Sequence, residues 1–132
     1  MKLEDCLNHI RPIKGITSVI DAFLSGDFNP VSDIEVTSNL KKMQTELSEV
    51  KEAQENCQSD GAYWGYQGQK SYLQSIVYLL KAAKLVGKDH LPYVRYPKLD
   101  GLVMDSCYDM EKFGQDVYEK AKLKAKKGKS YS

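Results

Sequence analysis

The fold is set by residues 36–57, which read VTSNLKKMQTELSEVKEAQENC. Apolar residues recur in this stretch with alternating spacings of about four and three: Val36, Leu40, Met43, Leu47, Val50 and Cys57. Side chains with that spacing lie along one side of an α-helix, and lysine and glutamate fill the outward positions. The stretch therefore predicts a helix over residues 33–57 that buries this apolar seam against another helix.

A polar residue, Gln54, interrupts the seam. A polar group at such a position can fix the register of two helices or the number of partners, at a cost in stability. Asp60 and Gly61 then indicate a break, so residues 62–86 are expected to return as a second helix. A single helix through residue 86 remains the alternative, because one glycine weakens a helix by only about 1 kcal/mol.

The second predicted helix is apolar on more than one side between Tyr72 and Leu80, which is typical of a central helix with neighbours all round. Deep burial is expected for Leu73, Ile76, Val77 and Leu80. Three glycines share one face, so another backbone or an aromatic ring is expected to approach closely at Gly61, Gly65 and Gly68. Gly87 is expected to end the helix.

Shorter elements flank this pair of helices. Residues 2–10 and 13–24 each predict an N-terminal helix with an apolar face. The stretch from Leu91 to Pro97 contains two prolines, which exclude a helix and hold it extended. Residues 101–124 predict a last helix, with these side chains facing inward: Val103, Cys107, Met110, Phe113, Val117 and Ala121.

Together these elements predict an all-α fold, a helical bundle built on a long antiparallel helical hairpin with coiled-coil-like packing. The 132 residues, 42% hydrophobic and 28% charged, suit one globular domain. We assign it to residues 1–126 and assign residues 127–132 to a disordered basic tail. The apolar surface exceeds what a small bundle covers, so a homo-oligomer is expected, with its interface at Leu40, Met43, Leu47, Val50 and Trp64.

Charge is unevenly distributed along the chain. Residues 1–60 carry six basic and eleven acidic residues, a net charge of −5, whereas residues 61–132 carry thirteen and seven, a net charge of +6. The two halves attract one another, either within one subunit or between subunits. No apolar run could span a bilayer, no secretory signal is recognisable, and three widely spaced cysteines fit reduced thiols. A cytoplasmic protein with no membrane partner is therefore expected.

No set of residues predicts catalysis, a metal site or a cofactor. Cys6 and His9 share a helix face, but zinc needs about four ligands, so they are interpreted as a packed thiol and a surface histidine. Residues 65–71, GYQGQKS, contain glycine, lysine and serine in the order of a phosphate-binding loop. Gln69 stands where that loop requires glycine, so nucleotide binding is not expected. We predict a protein that is not an enzyme and has no cofactor.

The extended segment carries the strongest candidates for partner binding, Tyr93, Arg95 and Tyr96. Two tyrosines and one of only two arginines, on a segment with little freedom left to lose, have the composition of an interface hot spot. The competing interpretation is that the tyrosines cover the end of the bundle. The leading hypothesis is a non-enzymatic protein-binding adaptor or inhibitor that acts as a homo-oligomer. The small size and lysine bias suit a bacteriophage or other mobile element.

The alternative is a nucleic-acid-binding accessory protein that uses the lysine-rich C-terminal half. Residues 120–129 contain no acidic residue and six lysines: Lys120, Lys122, Lys124, Lys126, Lys127 and Lys129. Aromatic residues around Trp64 could stack on bases, although packing is the simpler interpretation. Because seventeen of the nineteen basic residues are lysine, binding to phosphates is expected to be weak and strongly salt dependent.

Overall fold

The structure, a computed structural model, describes residues 1–9, 33–96 and 103–130. Four α-helices occur in these ranges, in the order α1 (Leu3–His9), α2 (Asp33–Asn56), α3 (Asp60–Val86) and α4 (Val103–Ser130). The described ranges contain no β-strand, so the all-α prediction is confirmed for them. The helix predicted over residues 13–24 lies outside the described residues.

The two long central helices are separated by a short link, residues 57–59. Ser59 caps α3, because its backbone is extended and its hydroxyl accepts a hydrogen bond from the Ala62 amide at 3.1 Å. That bond satisfies one of the amides that a helix start leaves without a partner. The single-helix alternative is therefore wrong. Cys57, predicted to lie in the seam, sits just past α2, where its thiol donates to the Gln54 carbonyl at 3.0 Å.

Helix α3 occupies the centre of the fold, in contact with α1, α2 and α4. The residues predicted to be deeply buried are all at most 2% exposed: Leu73, Ile76, Val77 and Leu80. Each such side chain contributes about 1.5–3 kcal/mol when it leaves water. The burial of these four residues was predicted correctly. Gly87 ends α3 with a φ of 97°, a conformation that favours glycine.

The seam of α2 is also buried, through Val36, Leu40, Met43 and Leu47. Val50 is half-buried and packs against the same core. Since α2 and α3 are in contact, the chain itself provides a partner for the seam. The burial of the seam was predicted correctly.

Helices α3 and α4 run parallel to one another. Gly114 lies against the Ser75 backbone, the Tyr78 and Tyr118 rings are 5.7 Å apart, and the Lys81 ammonium lies 5.7 Å from the Tyr118 ring centroid. Residue numbers rise together along both helices, so both carboxyl ends point the same way. The sixteen residues 87–102 connect the end of α3 to the start of α4.

The two helices approach closely at Gly114, where an added Cβ would lie 2.7 Å from the Ser75 carbonyl oxygen. The sequence placed a close approach elsewhere, at Gly61 and Gly65, and this was wrong, since an added Cβ there meets nothing within 4 Å. Gly68 is buried. Glycine spacing on one helix does not show which glycine faces a neighbour, and Gly114 faces one.

The inward face of α4 agrees with its prediction over the part where side chains are described: Met110, Phe113, Val117 and Ala121 are at most 3% exposed. The side chains of Val103 and Cys107 lie outside the described residues. The helix runs to Ser130 rather than ending near residue 124, so residues 127–130 of the predicted tail lie within it. Across the described ranges, no helix combines the length and apolar character that a membrane crossing needs.

Candidate functional site

The extended segment predicted from its prolines forms the centre of the candidate site. We call residues 87–96 the return segment, because it turns at Gly87 and runs back along α4. Its first half pairs with the N-terminal residues: the Leu3 amide donates to the Lys88 carbonyl at 2.6 Å, and the Leu91 amide donates to the Met1 carbonyl at 2.9 Å. The Leu91 side chain is buried. One edge of the return segment is therefore fixed by backbone hydrogen bonds.

Two lysines of α4 hold the return segment from its other side. Lys124 Nζ donates to the His90 carbonyl at 3.0 Å, and Lys120 Nζ donates to the Tyr93 carbonyl at 3.3 Å. A spacing of four residues places both lysines on the same face of α4. Hydrogen bonds from charged donors are stronger than those between neutral groups. These bonds join the backbone carbonyls of His90 and Tyr93 to α4.

Tyr96 faces the core. Its ring lies 5.3 Å from that of Phe113, and its side chain hydrogen-bonds with Cys6. Burial raises the pKa of Tyr96 to about 12, and the same cause raises the pKa of Cys6 to about 11. A thiol with that pKa remains protonated at neutral pH, when it is a poor nucleophile. This favours the interpretation of Cys6 as a packing residue.

Tyr93 and Arg95 face solvent. The Tyr93 side chain is 71% exposed, and Arg95 is exposed beside it on alternate positions of the extended segment. The three residues predicted to bind a partner are thus divided between two outward side chains and Tyr96, which anchors the segment. Their role in binding stays a prediction.

The six candidate lysines of α4 also differ in their surroundings. Lys120 and Lys124 bind the return segment, whereas Lys122 lies 4.8 Å from the Tyr118 ring centroid and 3.1 Å from a Glu119 carboxylate oxygen. Lys126 and Lys127 are exposed near the end of the helix. The side chain of Lys129 lies outside the described residues. The structure thus brings Tyr93 to Lys120, whereas Tyr96 lies beside Phe113, nearer the middle of the bundle.

The charge of this end is strongly positive. We define the basic end as residues 81–96 together with residues 117–127, which hold nine basic and two acidic residues, a net charge of +7. Exposed apolar side chains lie among these charges, at Leu85, Tyr93 and Leu123. Cations and exposed apolar side chains therefore share this surface.

A polar network joins the other ends of α2 and α3. The Gln54 amide nitrogen donates to the Gln67 side-chain oxygen at 2.8 Å and to the Tyr63 carbonyl at 3.4 Å. Lys70 Nζ donates to the Gln54 side-chain oxygen at 3.1 Å. Gln54 itself is 6% exposed. A buried residue whose donor and acceptor both bind the neighbouring helix defines which residues lie opposite one another.

The residues predicted to form an oligomer interface fall into two groups. Leu40, Met43 and Leu47 are buried within this one chain and Val50 is half-buried, whereas Trp64 is 54% exposed. The assignment of all five to an interface between subunits stays a prediction. Trp64 is the member of the set whose side chain a second subunit could cover without any rearrangement.

The described ranges contain no group of three or more His, Cys, Asp or Glu side chains arranged to hold a metal ion. A shallow groove of about 390 Å³ runs along one face of α2, where it is lined by Ser38, Lys41, Lys42, Thr45 and Glu46. Burial raises the pKa of Glu46 there, and the neighbouring Glu49 adds to the effect. All five residues belong to a single helix, so the groove brings no separate elements together.

Comparison with known proteins identifies no relative of this chain. No family model, curated protein or solved structure matches the chain.

Proposed function

We propose that this chain is a non-enzymatic protein-binding module, an adaptor or an inhibitor, that acts as a homo-oligomer and contacts its partner through the return segment. The observation that carries this proposal is Tyr93, whose ring is 71% exposed although its backbone is held by Lys120. An aromatic side chain on a prearranged backbone loses little entropy on binding and buries a large area.

The charge around Tyr93 indicates the chemistry of the partner. The basic end carries a net charge of +7, and Arg95 is exposed two residues from Tyr93. Arginine can bind a carboxylate through two parallel hydrogen bonds. The partner we propose therefore has an acidic surface, and opposite charge would accelerate its association at low salt.

Two further features belong to the same proposal. The platform is an antiparallel hairpin of α2 and α3 with coiled-coil-like packing, supported by the bonds from Gln54 to Tyr63 and Gln67. Self-association is supported by the exposure of Trp64. A cytoplasmic location and an origin in a bacteriophage or mobile element rest on composition alone.

The test is a comparison of captured proteins. A tagged wild-type chain, a Tyr93→Ala/Arg95→Ala variant and a Tyr108→Ala control are each crosslinked in the cells that produce them, and the attached proteins are quantified. Tyr108 is a suitable control because its ring is 66% exposed on α4, outside the basic end. Tyr96 is left intact because its loss would also remove the contact with Phe113.

We expect at least one acidic protein to be captured by the wild-type chain and the control and to fall about tenfold or more with the double variant, a loss typical of hot-spot residues. Equal capture by all three chains would contradict the proposal. Circular dichroism should show equal helicity in all three, since both substituted positions in the double variant are exposed.

The second candidate function is nucleic-acid binding through the lysines of α4. It is favoured by five lysines that α4 exposes: Lys120, Lys122, Lys124, Lys126 and Lys127. Removing residues 120–132 would also release the return segment, because Lys120 and Lys124 bind it. A Lys126→Gln/Lys127→Gln variant is therefore the cleaner test, read as the affinity for a labelled oligonucleotide as salt is varied.

If the lysines bind phosphates, the variant loses affinity and the salt dependence becomes shallower by about two released counterions. Unchanged affinity and an unchanged slope would contradict this second function.

A further inference from the structure

The ends of α3 carry opposite charges. We define the acidic tip as residues 49–66, at the carboxyl end of α2 and the amino end of α3. It contains four acidic residues and one basic residue, Lys51, a net charge of −3. The tip is therefore an electronegative surface.

Two aromatic rings are exposed on this acidic surface. Tyr63 is 42% exposed and Trp64 is 54% exposed, and their rings meet edge to face with centroids 5.2 Å apart. Space is open beside them, because a Cβ added to Gly61 or Gly65 would meet no atom within 4 Å. Exposed aromatics amid negative charge suit a cationic partner, since an ammonium group is attracted to the face of an indole ring.

The basic end supplies such cations, but they do not reach the acidic tip of the same chain. Lys126 and Lys127 lie near the end of α4, which runs parallel to α3 and extends beyond it. About 20 residues of α3 separate Trp64 from Lys84, a distance of about 30 Å at 1.5 Å per residue. Both complementary surfaces are therefore present on each chain, too far apart to meet within it.

We infer that two copies of this chain associate side by side in opposite directions, so that the acidic tip of each copy lies on the lysines at the end of α4 of the other. The identity of the copies gives both contacts the same geometry, and a two-fold arrangement makes both contacts at once and closes the assembly. The inference rests on the self-association part of the proposed function. It specifies which surfaces meet and leaves Tyr93 and Arg95 to the partner.

The test uses charge reversal. One variant, Glu52→Lys/Glu55→Lys, reverses the tip, and a second, Lys126→Glu/Lys127→Glu, reverses the end of α4. In each variant alone, the substituted residues carry the same charge as the residues they face in the other copy, so both contacts lose attraction. In an equimolar mixture the reversed tip of one variant meets the reversed α4 of the other, and the two unaltered surfaces also meet. Molar mass is measured by light scattering for each variant and for the mixture.

We expect the wild-type chain to have the mass of a dimer, each variant the mass of a monomer, and the mixture the mass of a dimer again. Trp64→Ala should raise the dissociation constant of the dimer about tenfold or more, whereas Tyr108→Ala should leave it unchanged. Circular dichroism checks folding. A lysine near the carboxyl end of α2 interacts favourably with the helix dipole and stabilises the helix. Loss of the dimer in the tip variant would therefore not reflect loss of the helix.

The other outcomes would contradict this inference, self-association as a whole, or the closed arrangement. A wild-type dimer that survives both reversals overturns this inference and leaves self-association standing. A wild-type monomer at every protein and salt concentration overturns both. A mass that continues to rise with concentration beyond that of a dimer overturns the closed two-fold arrangement.

Discussion

Two contacts of α3 differ in kind, the one with α4 and the one with the end of α2. Against α4 the contact is tight and apolar, with Gly114 so close to Ser75 that a Cβ would be only 2.7 Å from the carbonyl oxygen. Against the end of α2 the contact is polar, through Gln54, Gln67 and Lys70. A tight apolar contact fixes the distance between two helices, whereas a hydrogen-bonded pair fixes their register at little cost in packing. Helix α3 therefore makes one close-packed contact and one hydrogen-bonded contact.

The two contacts also differ in which side chains they leave exposed. The parallel course of α3 and α4 requires a connection back along α4, and the return segment that provides it holds Tyr93 outward. At the polar junction, the open space beside Gly61 and Gly65 leaves Trp64 uncovered. Both candidate binding surfaces are therefore consequences of how α3 meets its neighbours.

The largest expected effect is on the free energy of unfolding, and a matched pair of glycine substitutions tests it. Gly114→Ala should lower the free energy of unfolding by about 3 kcal/mol, because the new Cβ forces the α4 and α3 backbones apart. Gly65→Ala, also within a helix but in open space, should raise it by about 0.5–1 kcal/mol through helix propensity. Urea unfolding measures both. Equal effects of the two substitutions would show that the α3–α4 contact is not the tight one.

A smaller loss is expected at the polar junction. Gln54→Ala removes hydrogen bonds to Gln67, Tyr63 and Lys70, but Gln67 and Lys70 are only half-buried and can bind water instead. The free energy of unfolding should fall by about 1.5 kcal/mol. Gln58→Ala, in the exposed link, should change it by less than about 0.5 kcal/mol. A loss at Gln54 as large as that for Gly114→Ala would remove the distinction between the two contacts.

The smallest expected effect is a loss of stability at high pH caused by Cys6, which contacts Tyr96. Folding raises the pKa of Cys6 from 9.0 to about 11, so the folded state retains a proton that the unfolded state releases over that range. Stability should therefore be full below about pH 9 and fall as pH rises toward 11, with about 1 kcal/mol lost by pH 10. The raised pKa of Tyr96 extends the fall toward pH 12.

Unfolding by urea at several pH values measures this slope. Cys6→Ser, which keeps a hydrogen-bonding group but does not titrate in this range, should flatten the slope between about pH 8 and 10. Cys57→Ser should leave it unchanged, because Cys6 remains. A wild-type stability that does not change over this range would contradict the buried position of the thiol.

Much of the fold could be predicted from periodicity, because burial imposes it directly on the sequence. The seam residues Leu40 and Met43, the core residues Ile76 and Leu80, and the end of α3 at Gly87 all follow from local patterns. The start of α3 was placed two residues late because the capping role of Ser59 went unrecognised. A serine three residues before Ala62 was the available signal.

What the sequence did not predict depends on contacts between distant residues. The parallel direction of α3 and α4, the approach of Gly114 to Ser75, and the use of Lys120 and Lys124 to hold the return segment join residues 27 to 39 positions apart. No local pattern specifies such contacts. The i, i+4 spacing of the two lysines indicated a shared face, but it could not show that carbonyl oxygens lie opposite that face.

Molar mass in solution is the most direct measurement of whether this protein acts as a homo-oligomer. Light scattering coupled to size-exclusion chromatography, at low and high salt, would be recorded with absorbance at about 260 and 280 nm. We predict the mass of a dimer at low salt, with the absorbance ratio of protein alone. A monomer under all conditions, or a salt-labile complex with excess absorbance near 260 nm, would contradict it.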